Sequence, residues 1–537
     1  MVGSVTVEDA AVFLFGASFF IGVWYALPMV NTVTDVWAFS GGVLRSMEMH
    51  SLLPGYGVAY GTLSFYQNFV AMAVALIGAL PFFHFDITAL KTALILNPSF
   101  TLLVPRIVSA LTAIVFLYIV YRFLKHEVAS APWRFALLIL SFGNVLATIL
   151  ARSGKMWMLS TALGIISFIY VYRAIKEEVP VKRPGMCSAI AIISAFLATA
   201  NFAFAGLFLI AVPILFYAFS RNRGALTRLA TFSIIGMVLF MAITALNVAN
   251  VREQVSEFAA PFFGIESENR VMATLSPIEA FVISARHAIE AFPLLFIALA
   301  VALFYGMRNK ALVVLSVGYA ALYITAVSIV FRVDDGIALN VRHIFPIGFF
   351  LLFLLAAFRP PARIISYLLT GVGLAVYAYT VILLSIPTTY NMARDFIVAH
   401  YGNAPIRIDE SVFELALPMN KGSYELHGTS SCGSACAHTR ALSGDIAFRP
   451  VVVTHDADPE KVAQLPPPDL FISTSAIGCE SIASFGNKVP DDVVFDIDIN
   501  LGRMVMPEFY MLHALGKNLY LYDAHVCAPS APYSVRQ

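Results

Sequence analysis

Long apolar runs separated by short polar connections set the pattern of this chain. No charged residue occurs from Ala11 to Thr34, from Leu229 to Val251, or from Ala311 to Phe331. Runs of about 18 or more apolar residues read as transmembrane helices. The pattern predicts spans near 11–30, 105–123, 134–150, 156–172, 186–200, 205–219, 229–248, 290–306, 311–330, 343–358 and 365–386. A further stretch, LSFYQNFVAMAVALIGALPFF at 63–83, is long enough to span. Gln67, Asn68 and the terminal Pro81 weaken it, and a juxtamembrane or re-entrant helix is expected there. After Tyr390 the pattern changes. The strand-like runs RPVVVTHD and PDLFISTS alternate with the helix-like DPEKVAQL, whose Asp458 precedes Pro459 and Glu460 as a helix start.

The expected fold class is therefore a polytopic α-helical membrane protein of about eleven transmembrane helices with a small C-terminal α/β extracytoplasmic domain. Residues 1–388 form the membrane part, with an outer first loop at 31–104, and 389–537 form the soluble part. Composition agrees. The 537 residues are 59% hydrophobic and 12% charged, with mean hydropathy +0.80; soluble domains carry about 25% charge. The first apolar segment is too long, and too lacking in a basic leader, for a cleaved signal peptide. A net charge of +1 excludes the electrostatic footprint of a nucleic-acid partner.

Charge placement orients the chain. Five connections are rich in Lys and Arg: Arg122/Lys125/Arg134, Arg173/Lys176/Lys182/Arg183, Arg221/Arg223/Arg228, Arg308/Lys310 and Arg359/Arg363. They alternate along the chain, so all fall on one face, which the positive-inside rule makes cytoplasmic. Of 33 acidic residues 17 follow Tyr390, against only 10 of the 34 Lys and Arg. The acidic C-terminal part lands on the opposite face, in an oxidising compartment. Cys432, Cys436, Cys479 and Cys527 all lie there and are expected to form disulfides, with three pairings open. Within HGTSSCGSACAH the spacing of His427, Cys432, Cys436 and His438 is not a standard zinc arrangement, and no metal is expected.

The outer connections hold the unusual polar residues. The first carries Asp35, Arg45, Glu48 and His50, then PGYGVAYG with Tyr56, then Asp86, Lys91 and Arg106. LARSGKMWML places Arg152 and Lys155 between two helices, and FRVDDGIALNVRHIFP adds Arg332, Asp334, Asp335, Arg342 and His343. Arg binds phosphate through paired N–H donors and Lys as a point charge. A carboxylate opposite takes a proton from an attacking hydroxyl, and cations stabilise the charge on a leaving phosphate. Such a set suits group transfer from a lipid phosphate. Taken singly, Arg and Lys at helix ends also snorkel to headgroups, and Asp35 alone also fits a helix-ending loop.

These stretches resemble the C-type glycosyltransferase superfamily. VTDVWAFSGGVLRSMEM is similar to the family's first outer loop with its early Asp, and VPRIVSALTAIVFLYIVYRF to its second helix with the leading Arg106. ILARSGKMWMLSTALGI resembles the short second outer loop, and NVRHIFPIGFFLLFLLA the opening of a late helix. NMARDFIVAHYGNAPIRIDESVFELALP looks like the start of an outer domain. The bacterial branch related to dolichyl-phosphate-mannose protein mannosyltransferases and to lipid A aminoarabinose transferase is most similar. The resemblance implies inverting sugar transfer from a polyprenyl-phosphate donor on the outer face, with no cofactor. Asp35 would be the base, Glu48 its reserve, and Arg152, Lys155, Arg106 and Arg342 would bind the donor phosphate. His50, Tyr56, Asp334, Asp335 and His343 are expected to contact donor or acceptor. The partners are membrane lipid, the lipid-linked sugar, and an acceptor the sequence does not identify. Two departures stand out: ARSGKMW lacks the acidic residue many relatives have there, and Val36 follows Asp35 where several have Glu. A transporter and a catalytically inactive scaffold remain as other readings. Ionisable residues at the outer interface favour transfer, and a midplane pair favours transport.

Overall fold

The computed structural model describes residues 6–28, 37–52, 62–176, 184–201, 276–330, 342–410, 415–427, 434–454, 457–486 and 518–527, with scattered positions between 227 and 238. In chain order the membrane part begins with α1 (Val7–Ala17), α2 (Trp37–Glu48), α3 (Thr62–Ala79), α4 (Ile87–Leu96) and α5 (Ser99–Glu127). It continues with α6 (Ala131–Phe142), α7 (Val145–Leu150), α8 (Trp157–Ile175) and α9 (Pro184–Asn201). Then come α10 (Pro277–Ala291), α11 (Pro293–Leu303), α12 (Lys310–Val330), α13 (Phe345–Ala356) and α14 (Arg363–Leu383).

Thr62–Phe83, Ser99–Glu127, Trp157–Ile175, Lys310–Ser328 and Arg363–Leu383 are long and apolar enough to cross a membrane. The pair Ile278–Ala291 and Pro293–Leu303, bent by 89°, makes a sixth if it is one span. The chain is thus a polytopic α-helical membrane protein. Three expected spans are broken, each for a local reason. In 134–150, Gly143 ends α6, and Asn144 caps α7 by accepting from the Ala147 N–H. In 290–306, Pro293 cannot continue a helix from α10. The first segment leaves α1 for a 3-10 turn at Ser18–Phe20, and Gly22 comes next with φ +82°. The expected spans 205–219 and most of 229–248 lie outside the described residues. Where helices pass closest, small residues permit it: a Cβ at Gly373 of α14 would lie 2.8 Å from Ile139 of α6.

Contacts define two ends of the bundle. At one, Asp9 accepts from Tyr121 Oη (2.6 Å) and Lys125 Nζ (3.0 Å), and Glu8 accepts from Arg134. There too Glu127 accepts from Tyr172 (2.8 Å) and Lys176 (2.9 Å), Asn309 donates to Tyr172, and Arg308 N–H donates to Ala357 O. The described basic connections therefore share one end, as their alternation predicts. At the other end Arg106 reaches Val23, Arg152 reaches Ile21, Asn201 reaches Met156 and Asn391 reaches Leu27.

The C-terminal part sits at that second end. It comprises α15 (Thr389–Tyr401), α16 (Lys421–Glu425), α17 (Ser434–Leu442), α18 (Pro459–Val462) and a five-stranded sheet. The strands are β1 (Arg407–Glu410), β2 (Val451–Thr454), β3 (Leu470–Ser473), β4 (Ala483–Phe485) and β5 (Leu519–Asp523), in the order β2-β1-β3-β5-β4. β1 is parallel to β2 and β3, while β5 runs antiparallel to β3 and β4. Buried Ile408, Val452, Leu470 and Ile472 belong to the same apolar core as the bundle. In this sheet Arg407 holds Asp409 through Nε (2.7 Å) and Nη2 (2.8 Å), yet burial still pushes the Asp409 carboxyl up.

Geometry rather than apolarity decides the course of 63–83. α2 and α4 both pack on α17, so the chain between them leaves and returns to one face. The return is short. His84 and Phe85, both left-handed, close a tight turn after Phe83, and α4 rises only about 15 Å. That is half of the ~30 Å hydrocarbon layer. Thr62–Phe83 is therefore one arm of a helical hairpin that starts and ends at the same end of the bundle, despite a composition that would let it cross.

Candidate functional site

The sequence places its outer cations where α1 unravels, and the structure shows why. Carbonyls at a helix C-terminus lack partners within the helix, and lipid supplies none. Arg152 Nε donates to Ile21 O (2.7 Å), and its Nη2 donates to Ser18 O (3.1 Å). Arg152 Nη1 donates to Thr148 O (2.7 Å), and Nη2 also donates to Tyr377 Oη (3.1 Å). The guanidinium lies beside the Phe19 and Tyr377 rings, 5.8 and 5.7 Å from their centroids. Arg106 Nη1 donates to Val23 O (3.2 Å) and to Tyr25 O. Both Arg residues are buried. Arg152 commits its Nε, Nη1 and Nη2 donors to its own fold, and Arg106 joins it in holding the segment that follows α1.

Lys155 is placed differently. Gly154 holds φ +73°, and a Cβ there would approach the Pro105 Cβ to 2.9 Å, so this turn accepts only glycine without displacing α5. Lys155 comes directly after it, 3% exposed, in a small cavity between α3, α5 and α8. The polar lining is Ser64, Gln67, Asn68, Ser109, Thr112 and Lys155. Gln67 donates to Thr112 Oγ1 (3.2 Å), and Ser109 donates to Leu150 O (3.1 Å). Ser64 Oγ and Asn68 Oδ1 are buried with no hydrogen-bond partner among the described residues. Buried polar atoms are rarely left so; this cationic cavity has room for about one water-sized group, and is suited to a hydroxyl or to a single phosphate oxygen met by Lys155 and the Ser64 hydroxyl. Asn201 fixes the mouth: its Oδ1 accepts from Ser64 N–H (2.9 Å), and its Nδ2 donates to Met156 O (3.1 Å).

The other expected site residues divide. His343 is buried, its ring edge-on to Trp157 at 4.9 Å, two residues beyond Lys155. Glu48 pairs with Arg45 and accepts from Ser443 Oγ, tying α2 to the segment after α17. His50 is exposed, with φ +50°, just past α2. Arg342 opens the turn Arg342–Ile344, but its side chain, like Asp35, Tyr56, Asp334, Asp335 and Cys432, lies outside the described residues. The structure thus brings Lys155 and His343 to one end of the bundle with Arg106 and Arg152, and directs Glu48 to the C-terminal part. Cys479 and Cys527 form a disulfide, with Cα atoms 6.1 Å apart, and Cys436 is disulfide-bonded as well. Cys187 is buried in α9. Among the described residues no group of three His, Cys, Asp or Glu is arranged to hold a metal ion.

The sequence gives little sign of the Ser64 and Asn68 contribution. Asn68 is legible as a weak point in an apolar run, but not as a lining residue. His287 and Glu290 of α10, both buried, are equally hidden, since ARHAIEAF reads as no more than a helix end.

The molecule so defined is a multi-pass membrane protein with a polar, cationic cavity at the end opposite its basic connections. No family model and no curated protein match the chain. Among solved structures, the crystal structure of ArnT from Cupriavidus metallidurans in the apo state is a structural neighbour, with TM-score 0.38 and 13% identity over 81% of this chain and 74% of that one. A likeness of that degree carries no conclusion about fold or activity, which rest on the geometry above.

Proposed function

We propose that the protein is a membrane glycosyltransferase that moves a sugar from a polyprenyl-phosphate donor to an acceptor hydroxyl. The work takes place at the face opposite the basic connections. The observation that carries this reading is the Lys155 cavity, where a buried lysine lies beside unmet hydrogen-bonding groups of α3. In this reading the acceptor oxygen attacks the anomeric carbon while the carbon–oxygen bond to phosphate breaks. The hydroxyl proton passes to Asp35, and the phosphate leaves with one more negative charge, which Lys155, assisted by Arg342, stabilises. Arg106 and Arg152 hold the frame. The basic end is cytoplasmic by the positive-inside rule, so the sheet is extracytoplasmic and the protein belongs in the inner membrane.

Lys155→Met in the full chain is expected to weaken binding of a polyprenyl phosphate about 10- to 100-fold, the ratio for one lost charge-assisted hydrogen bond. Melting should stay within a few degrees. Unchanged affinity would remove the observation on which the reading stands. Orientation has its own check. A cysteine introduced at exposed Asn403 should react with an impermeant thiol reagent in intact cells, and protection until lysis would reverse the topology.

The 89° break between α10 and α11, with His287 and Glu290 buried beside it, fits a transporter as well as a transferase. Movement of lipid-linked sugar across vesicles holding the purified protein, without sugar transfer, would establish the transporter reading.

A further inference from the structure

The break after α10 creates a polar site that the donor-phosphate cavity does not explain. α11 rises about 16 Å from its start to the basic end, so the turn at Phe292–Pro293 lies near mid-depth. Phe292 packs against Gly348 of α13, where an added Cβ would come within 2.5 Å of its ring. α10 departs sideways from that turn. It packs against α12 and α13 and against the turn Arg342–Ile344. One face of α10 is apolar and exposed, with Ile278, Val282 and Ile289 toward lipid. The other face carries Ala280, Ser284, His287, Ala288 and Ala291, all buried.

His287 and Glu290 sit three residues apart, hence on adjacent positions of one helical face. His287 is 1% exposed and Glu290 8%. Glu290 Oε1 accepts from Arg286 Nε at 2.7 Å. Its Oε2 and the His287 Nδ1 are both buried without a hydrogen-bond partner among the described residues. A carboxylate oxygen and an imidazole nitrogen placed together, each lacking such a partner, are not explained by packing: alanine or leucine would fill the same space without the desolvation penalty. An intramembrane ionisable residue is a functional site by default. The elements connect this pair to the donor cavity. α10 touches the turn holding His343, and His343 rests on Trp157, which lies two residues after Lys155 on α8.

We propose that His287 and Glu290 form the hydroxyl-recognition subsite for the sugar of the lipid donor. This rests on the glycosyltransferase reading above. The chemistry selects the ligand class. A carboxylate already sharing one oxygen with Arg286 repels a phosphate and leaves one oxygen to accept from a hydroxyl. An imidazole nitrogen supplies the complementary donor or acceptor, according to its tautomer. A pyranose or furanose ring presents adjacent hydroxyls that meet both. Lys155 then holds the phosphate, and the α10 pair reads what the phosphate carries.

The test compares two kinds of probe on the full chain in lipid nanodiscs: a long-chain polyprenyl phosphate without sugar, and the same lipid bearing a hexose or a pentose. Wild type is expected to bind at least one sugar-bearing lipid about tenfold or more tighter than the bare lipid. Glu290→Gln should erase most of that increment and leave affinity for the bare lipid unchanged. His287→Gln, which keeps the volume and a hydrogen-bonding end, should lose part of it and serves if the first variant misfolds. An increment that survives in both variants overturns the subsite, as does a wild type that binds bare lipid well but gains nothing from any sugar. A wild type with no affinity for the bare lipid would overturn the glycosyltransferase reading itself, so the two failures are told apart.

Discussion

Asp35→Asn is expected to lower sugar transfer by about 10²- to 10⁴-fold, the usual cost of removing a general base, with melting and expression nearly unchanged. Asn matches Asp in shape but takes no proton, so the substitution isolates proton transfer from placement. Asp35 itself lies outside the described residues; α2, which begins at Trp37, packs on α3, α5 and α17. Displacement of a base by even a small distance is costly. Glu48, the reserve, is committed to Arg45 and Ser443. Glu48→Gln should therefore change transfer little and instead loosen the contact between α2 and the C-terminal part. Near-normal transfer by Asp35→Asn together with a large loss in Glu48→Gln would move the base to Glu48.

Arg152→Ala should act on the fold. Its guanidinium meets the carbonyls of Ser18, Ile21 and Thr148 and the Tyr377 hydroxyl, and it is 4% exposed. Truncation takes the donor from the Ile21 and Thr148 carbonyls, each costing about 1–3 kcal/mol, whereas Ser18 O keeps the Ile21 N–H and Tyr377 Oη keeps Ser18 Oγ. A total of about 3–5 kcal/mol is expected, at the upper end for single substitutions. The purified variant should melt far below wild type or fail to accumulate. Arg152→Lys should recover only part, because an ammonium lacks the planar fork that meets carbonyls on two sides. The sequence suggests the reverse, a donor-binding cation with little folding role. Normal melting with weakened donor affinity in Arg152→Ala would support that suggestion.

The contrast between Arg152 and Lys155 shows where local sequence pattern stops. Both are cations in one short outer connection, and charge pattern alone treats them alike. The irregular end of α1, distant in sequence, separates them: the Ser18 and Ile21 carbonyls accept from Arg152, while Lys155 lines the cavity. Apolar runs and basic connections are legible because hydropathy and the positive-inside rule act locally. The breaks at Gly143–Asn144 and Pro293 follow from capping chemistry that the apolar pattern passes over, since it reads 134–150 and 290–306 as unbroken spans. The hairpin course of 63–83 is half legible: Gln67, Asn68 and Pro81 hint at it, but only the common docking of α2 and α4 on α17 decides it. The disulfide-forming character of the C-terminal cysteines is an expectation from charge placement, whereas the pairing Cys479–Cys527 depends on β5 lying beside β4, which no local pattern announces. His287 and Glu290 are invisible for the same reason. A polar pair at a helix end is ordinary until an 89° bend places it inside the bundle.

The proposed transfer requires a lipid phosphate oxygen held by Lys155 in the cavity between α3, α5 and α8. A cryo-electron microscopy structure of the full chain with a polyprenyl phosphate would locate it. Phosphate density is expected within hydrogen-bonding distance of Lys155 Nζ, with the Ser64 hydroxyl as a second contact and the lipid tail leaving beside the α3–α4 hairpin. Phosphate density at the basic end, among Lys125, Arg134 and Lys176, with the Lys155 cavity empty, would contradict it.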